Sequence, residues 1–263
     1  MGAERQILSE SVQLIVSFCD QIVACFENCR NTGENALIVD QKEPVTLVGG
    51  GTVAPGDLEF ALSLAPFLVA ADSGADRAFV AGYEPQVVIG DLDSISNVVR
   101  NQLAPNKIFE VAEQDSTDFH KALRHIKAPV VLAVGFLGAR VDHQLAAFNT
   151  LVQVLDSPCI VLGEYEIIFH IPPRINLPTC DGDIVSLFPM GAVTGRSTGL
   201  KWPIEGLQMS PMGRIGTSNI ATGPMSLTPD GPGLLGILPR YLLPQLIPLI
   251  SQARPWSRSA ALP

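Results

Sequence analysis

Two aspartates one residue apart, Asp91 and Asp93, follow the apolar run Val87-Val88-Ile89-Gly90, and Ser94 adds a hydroxyl directly after them. Three further apolar runs end in the same manner. "FLVAA" leads into Asp72-Ser73-Gly74, "IFEVAE" into Gln114-Asp115-Ser116-Thr117-Asp118, and "VVLAVGF" into Gly138-Ala139-Arg140-Val141-Asp142-His143. Carboxylates brought close together repel one another and lose hydration. A hard divalent cation relieves both costs, and Mg²⁺ recruits a few carboxylates together with substrate phosphates. Arg140 suits a phosphate because its planar fork matches two of the oxygens, and Lys121 brings a second cation. The chemistry these residue types fit is a Mg²⁺-assisted phosphoryl-type transfer.

Taken singly, an acid at a strand end also serves as an N-cap. Asp115, Ser116 or Thr117 fits that role for a helix at "DFHKALRHI". The D-x-D and D-x-x-D spacings, each after an apolar run, tip the set toward a metal. His143 reads as a hydrogen-bonded structural histidine, and His120 and His125 as residues of a helix surface.

These loops share one edge only if the runs before them lie parallel in one sheet, since ligands gather beyond the carboxyl ends of parallel strands. From Pro44 onward the pattern supports this. "VTLVGGG", "FLVAADSG", "VVIGDLDS", "KIFEVAE", "PVVLAVGFLG" and "PCIVLGE" alternate with the helical stretches "GDLEFALSLA", "GADRAFVAG", "TDFHKALRHI" and "VDHQLAAFNTLVQVL". Strands apolar on both faces, alternating with helices, predict βαβ units and a Rossmann-like parallel sheet. After about Gly163 the runs become short and are divided by Gly, Pro and Asp, as in "YEIIFHIPP", "RINLPT", "DIVSLFPMG", "TGLKWPI", "GRIGTSN" and "PMSLTPD". That rhythm predicts an antiparallel all-β domain, a sandwich or barrel. The expected organisation is a helical extension over 1–43, an α/β domain over 44–160, a β-sandwich over 161–240 and a helical tail over 241–263.

The chain has 263 residues and a net charge of -9, which argues against a nucleic-acid grip and against anionic membranes. "VQLIVSFCDQIVACF" and "LLGILPRYLLPQLIPLI" approach membrane character, but neither supplies about 20 clean apolar residues, and both read as helices packed on the body or a partner. The start of the chain has no basic n-region or small-residue cleavage site, so no signal peptide is expected. Cys19, Cys25, Cys29, Cys159 and Cys180 contain no C-x-x-C pair, which points to neither a disulfide framework nor a zinc site and makes the cytoplasm the default compartment.

"GGGTVA" at 49–54 fits G-x-G-x-x-A after a strand, with Asp72 about twenty residues on, in the outline of a dinucleotide fingerprint. A nicotinamide-dependent oxidoreductase is therefore an alternative, although it leaves the D-x-D and D-x-x-D loops unexplained. No G-x-x-x-x-G-K-[ST] occurs, which excludes a Walker-type loop.

In the second half, "STGLKWPIEG" holds Trp202 and "GTSNIATGP" holds Ser218 and Asn219. An aromatic face can stack on a flat cationic heterocycle, with Ser218 and Asn219 as hydrogen-bonding neighbours. "ADSGAD", "GDLDSI", "QDSTDFHKAL", "GARVDH" with "FNTL", "GLKW" and "GTSN" together resemble, in order and spacing over about residues 44–240, the thiamine pyrophosphokinase (thiamine diphosphokinase) family. The resemblance implies an N-terminal α/β domain, a C-terminal β-sandwich, a homodimer with its active site at the subunit interface, and transfer of the terminal diphosphate of ATP to the thiamine hydroxyl with release of AMP. It further implies Asp91, Asp93 and Asp118 as Mg²⁺-binding acids, and it puts Gln114 and Thr117 in the same loop, with Asp72 and Lys121 on the nucleotide side. Arg140 and Asp142 would be the arginine–acid pair near the nucleotide phosphates, with Asp118 or Asp142 as the proton acceptor. Trp202, Ser218 and Asn219 would form a thiamine-side wall facing the partner's α/β domain. Ala139 stands where the family often has glycine. A non-catalytic sensor of thiamine or nucleotide is the third reading.

Overall fold

The structure, a computed structural model, describes residues 36–113, 115–138 and 140–256. The helix expected within residues 1–43, and the site residues Gln114 and Ala139, lie outside the described residues.

The α/β part runs β1 (Val39–Asp40), β2 (Val45–Val48), α1 (Asp57–Leu64), β3 (Phe67–Ala71), α2 (Gly74–Val80), β4 (Val87–Gly90), α3 (Asn97–Gln102), β5 (Ile108–Glu110), α4 (Asp118–Arg124), β6 (Ile126–Lys127), β7 (Val131–Val134), α5 (Val141–Gln153) and β8 (Cys159–Leu162). Then follow β9 (Glu166–His170), β10 (Ile175–Leu177), β11 (Ile184–Pro189), β12 (Gly195–Leu200), β13 (Gly216–Pro229), β14 (Leu234–Pro239) and α6 (Leu243–Gln252).

Strands β8-β7-β2-β3-β4-β5 are neighbours in that order and pair in parallel throughout. Every residue of β2, β7 and β8 is buried, because helices cover both faces of the sheet. Val45, Leu47, Val69 and Ala71 pack with Phe119 and Leu123 of α4 and with Ala147 and Leu151 of α5. Their alternates Val48, Leu68 and Ala70 pack with Leu58 of α1 and with Ala75 and Ala78 of α2. The two-residue period of a strand thus serves two cores at once.

The β-rich half continues the same sheet. β9 pairs antiparallel with β8, with Val161 opposite Ile168, and β14, β11, β13 and β10 follow outward, with β12 also on β13. The residue 160/161 boundary expected from the rhythm falls inside β8, so backbone hydrogen bonds run across it. β13 carries the two runs read separately as "GRIGTSN" and "PMSLTPD". Its first part pairs with β11 and its second with β12 and β10.

Three local readings are corrected. The stretch "LLGILPRYLLPQLIPLI" is not one helix: Leu234–Pro239 is strand β14, set between β9 and β11, Arg240–Leu242 is a 3-10 turn, and α-helix begins at Leu243. A six-residue apolar run cannot be assigned to helix or strand from periodicity alone; here the two neighbouring strands decide. Ile126 belongs to β6 rather than to the preceding helix, and it pairs with Val39 of β1, so the end of the expected extension is tied to the α/β half. His125 is 1% exposed rather than on a helix surface, and its carbonyl accepts the Ile38 and Val39 N–H groups. Among the described residues no helix is long and apolar enough to cross a membrane.

Candidate active site

Asp72 is the first residue beyond β3. Its backbone is left-handed, with φ of 44°, and its N–H donates to Ile89 O at 2.9 Å, which ties the ends of β3 and β4 together. Beyond β4, Leu92 is also left-handed, with φ of 63°, and its side chain is buried among Val88 and Val99. The chain therefore turns sharply between the two acids of the D-x-D. The Asp93 N–H points to Asp91 Oδ1 at 3.5 Å, and Ser94 Oγ donates to Asp93 Oδ1 at 2.7 Å. As a result, one carboxylate oxygen from each of Asp72, Asp91 and Asp93 lies within 4.8 Å of the others.

Asp72 is 1% exposed, and neither of its carboxylate oxygens meets a hydrogen-bond donor among the described residues. Burial pushes its carboxyl above the usual range, and the nearby charges of Asp118, Asp91 and Asp93 add to this; the Ser73 N–H, close by but outside hydrogen-bond geometry, opposes it. The expected trio was Asp91, Asp93 and Asp118, whereas the acids with grouped oxygens are Asp72, Asp91 and Asp93. Lys121 meets both Asp91 and Asp118. Its side chain is 2% exposed, and its ammonium donates to Asp91 Oδ2 at 2.7 Å and lies 3.6 Å from Asp118 Oδ1. The hydrogen bond from Lys121 holds the Asp91 carboxyl below its ordinary range. Asp118 is shifted upward by burial, with Lys121 opposing and Asp91 adding.

Asp118 opens α4, where Thr117 Oγ1 accepts the His120 N–H at 3.3 Å as the N-cap. That capping role was foreseen for this loop. At the start of α5, Arg140 grips Asp142 with two bonds, Nε to Oδ1 at 3.1 Å and Nη2 to Oδ2 at 2.5 Å. The arginine holds the exposed Asp142 carboxyl low. Thr117, Asp118 and Arg140 line a cavity of about 240 Å³ together with Ser73, Ser94, Gly50, Gly51, Phe136 and His143. Sequence reasoning missed Ser73 and Phe136 as lining residues; it put Asp72 among the converging acids but assigned it to the nucleotide rather than to the Mg²⁺ trio. The signal for Asp72 was its place after an apolar strand, the same place that marked Asp91.

The glycine run forms one wall of this cavity, and its neighbours explain its composition. A Cβ at Gly49 would meet the Phe136 ring at 2.5 Å, and one at Gly51 would meet Gly135 O at 2.5 Å. Backbone contact with the loop after β7 is enough to require glycine here, without a dinucleotide.

Trp202, Ser218 and Asn219 do not line the cavity. Trp202 is 53% exposed on the β-rich half, and Ser218 is exposed with φ of 58°. Asn219 is buried, and its side chain is spent on backbone: Oδ1 accepts from the Trp202 N–H at 3.2 Å and from the Ile220 N–H at 2.9 Å, while Nδ2 donates to Trp202 O at 2.7 Å. Asn219 therefore holds the Trp202 loop in place. The Lys201 ammonium lies over the indole, 4.8 Å from its centroid.

Comparison with known proteins identifies the family. Residues 58–162 match the family described as thiamin pyrophosphokinase, catalytic domain, and residues 166–228 match thiamin pyrophosphokinase, vitamin B1 binding domain. The chain is 31% identical over 186 residues to thiamine pyrophosphokinase 3 of Oryza sativa subsp. japonica, covering 58% of this chain and 70% of that one. It is 30% identical over 162 residues to thiamine pyrophosphokinase 1 of Arabidopsis thaliana, covering 52% and 59%. In fold it is similar to the thiamin pyrophosphokinase of Candida albicans, with a TM-score of 0.65 at 16% identity over 79% of this chain and 97% of that one. The yeast enzyme gives a TM-score of 0.64 at 20% identity, over 81% and 91%. With an α/β half matching the catalytic part and a β-rich half matching the vitamin-binding part, the chain belongs to the thiamine pyrophosphokinase family.

Proposed function

We propose that this thiamine diphosphokinase works at the acid-lined sheet edge, moving the terminal diphosphate of ATP to the hydroxyl of thiamine. The family assignment makes the chain a transferase that forms thiamine diphosphate. In the reaction a bond forms between the thiamine hydroxyl oxygen and the β-phosphorus. The bond between the β-phosphorus and the bridging oxygen breaks, AMP leaves with that oxygen and the electron pair, and one proton leaves the hydroxyl.

The observation that carries the mechanism is the grouping of Asp72, Asp91 and Asp93 within 4.8 Å, with both oxygens of the buried Asp72 lacking a donor. An all-oxygen, all-anionic donor set of this kind fits Mg²⁺. When bound, Mg²⁺ supplies charge neutralisation for the phosphate tail. Asp72, Asp91 and Asp93 would hold it, although none of the three lines the cavity itself; their chain neighbours Ser73 and Ser94 do, together with Asp118. Arg140, on the cavity wall, is suited to phosphate oxygens, and Asp142 orients its fork until the nucleotide takes over. Asp118 is the better proton acceptor of the two candidates. Its carboxyl is shifted upward, toward the working range of a base, whereas Arg140 keeps Asp142 low. Most of the acceleration comes from positioning and charge neutralisation.

Because Trp202 is exposed and lies away from the cavity lining, we assign the thiamine wall to a homodimer in which the β-rich half of one protomer faces the α/β half of its partner. The exposed apolar residues Met212 and Ile215 of the same half support this. Free thiols at Cys159 and Cys180 accord with a cytoplasmic setting. Incubation with ATP, Mg²⁺ and thiamine should yield AMP and thiamine diphosphate in equal amounts. Binding without turnover would instead mark a sensor, and sedimentation as a monomer would remove the dimer.

A further inference from the structure

Lys121 is the largest side chain in the described structure that is wholly buried. Burying an ammonium is costly unless its charge is met closely and its protons are bonded. Here two acids from different loops meet it: Asp91 after β4 and Asp118 at the start of α4. Nothing local brings these acids together. They are separated in sequence by α3 and β5, and each carboxylate repels the other. Asp91 also divides its two oxygens. Oδ2 takes the lysine, while Oδ1 faces the Asp93 N–H. The lysine leaves Asp72 alone, whose two buried oxygens remain without a donor.

We propose that Lys121 is a positioning residue, a fixed internal counter-ion that draws Asp91 and Asp118 into register so that Asp91 can present its other face to Asp72 and Asp93. It acts through Asp91 and does not touch the reacting atoms. Its stem is locked by packing, so the carboxylates are held before substrate arrives, which is what preorganisation requires. The inference rests on the proposed site, since it assigns Asp91 to the cation-holding group.

The test separates the two readings. Thermal unfolding in EDTA is measured for the full chain, for Lys121→Met, for Asp91→Asn/Asp118→Asn, and for all three changes together. Lys121→Met should lower the midpoint by several degrees in the native background, since the partly buried Asp91 and the more exposed Asp118 lose the cation they share. It should lower it far less where both acids are already amides. Failure of Lys121→Met to fold alone, with recovery in the double-amide background, is the same result. An equal loss in both backgrounds overturns the proposal, because it would mean that only packing was removed. In turnover, Lys121→Met should lower kcat by about tenfold or more with the thiamine KM within about twofold, and Lys121→Arg should recover most of it. An unchanged kcat in Lys121→Met also overturns it. Mn²⁺ added to the nucleotide-free native protein reports on the cation site separately. A midpoint that does not rise removes the metal reading, while the EDTA cycle still decides the role of Lys121.

Discussion

A Cβ at residue 90 would stand 2.8 Å from the Cβ of Asp72, so only glycine lets the end of β4 pass beside the turn that follows β3. Its next nearest atoms are Asp72 Cα and N, at 3.2 and 3.3 Å, and these are backbone-bound and cannot swing aside. Gly90→Ala should therefore push Asp72 away from Asp91 and Asp93. We expect a stability loss of about 1–3 kcal/mol and a fall in kcat larger than that loss explains. Urea unfolding and steady-state kinetics on the same preparation check it.

Asp72 and Asp91 should respond differently to amide substitution. Asp91→Asn leaves Lys121 without its closest partner and should abolish Mg²⁺-dependent turnover while the fold survives. Asp72→Asn removes a buried carboxylate that meets no donor. In EDTA it should raise the unfolding midpoint while turnover falls, the usual opposition between stability and an active site. A destabilised Asp72→Asn would show that this carboxylate is compensated in the folded chain.

Trp202 is half-exposed, so Trp202→Ala should change stability by less than about 0.5 kcal/mol while raising the thiamine KM by about tenfold. Asn219→Ala should do both kinds of damage, because the buried amide carries three hydrogen bonds with the Trp202 and Ile220 backbone. An unchanged thiamine KM in both variants would take this loop out of the binding wall.

His170 makes a pH prediction away from the site. Its Nε2 accepts the Gly233 N–H at 2.8 Å, its ring stacks on Trp256 at 6.5 Å, and burial lowers its pKa to about 4. The folded chain thus holds it neutral where the unfolded chain, with a pKa of about 6.5, binds a proton. Its contribution is fully present above pH 6.5 and is lost as the pH falls from there toward 4, by at most about 3 kcal/mol. Urea midpoints measured from pH 7 to pH 4 should fall less steeply in His170→Gln. Equal slopes would mean that His170 does not titrate in this window.

Much of the site was legible in the chain. Acids and hydroxyls directly after apolar runs mark the carboxyl ends of parallel strands, because a buried strand needs apolar residues on both faces and its polar chemistry can begin only where it leaves the core. The motifs "GDLDSI", "QDSTDFHKAL" and "GLKW" also pointed to the family that the comparisons bear out. The alternation of strands and helices was sufficient for the α/β half, since each period reflects burial local to its own element.

What only the tertiary structure decided depends on distances between elements. Left-handed turns at Asp72 and Leu92, together with the close pass at Gly90, select Asp72 to stand with Asp91 and Asp93. Lys121 reaches across from α4 to claim Asp91 while meeting Asp118 one turn back on its own helix. The apolar run at 234–239 became a strand because β9 and β11 offered it two ladders. Spacing along a chain determines which face a side chain takes on its own element, but which carboxylates share a point in space is set by strand register and helix packing, and those forces act between segments far apart in sequence.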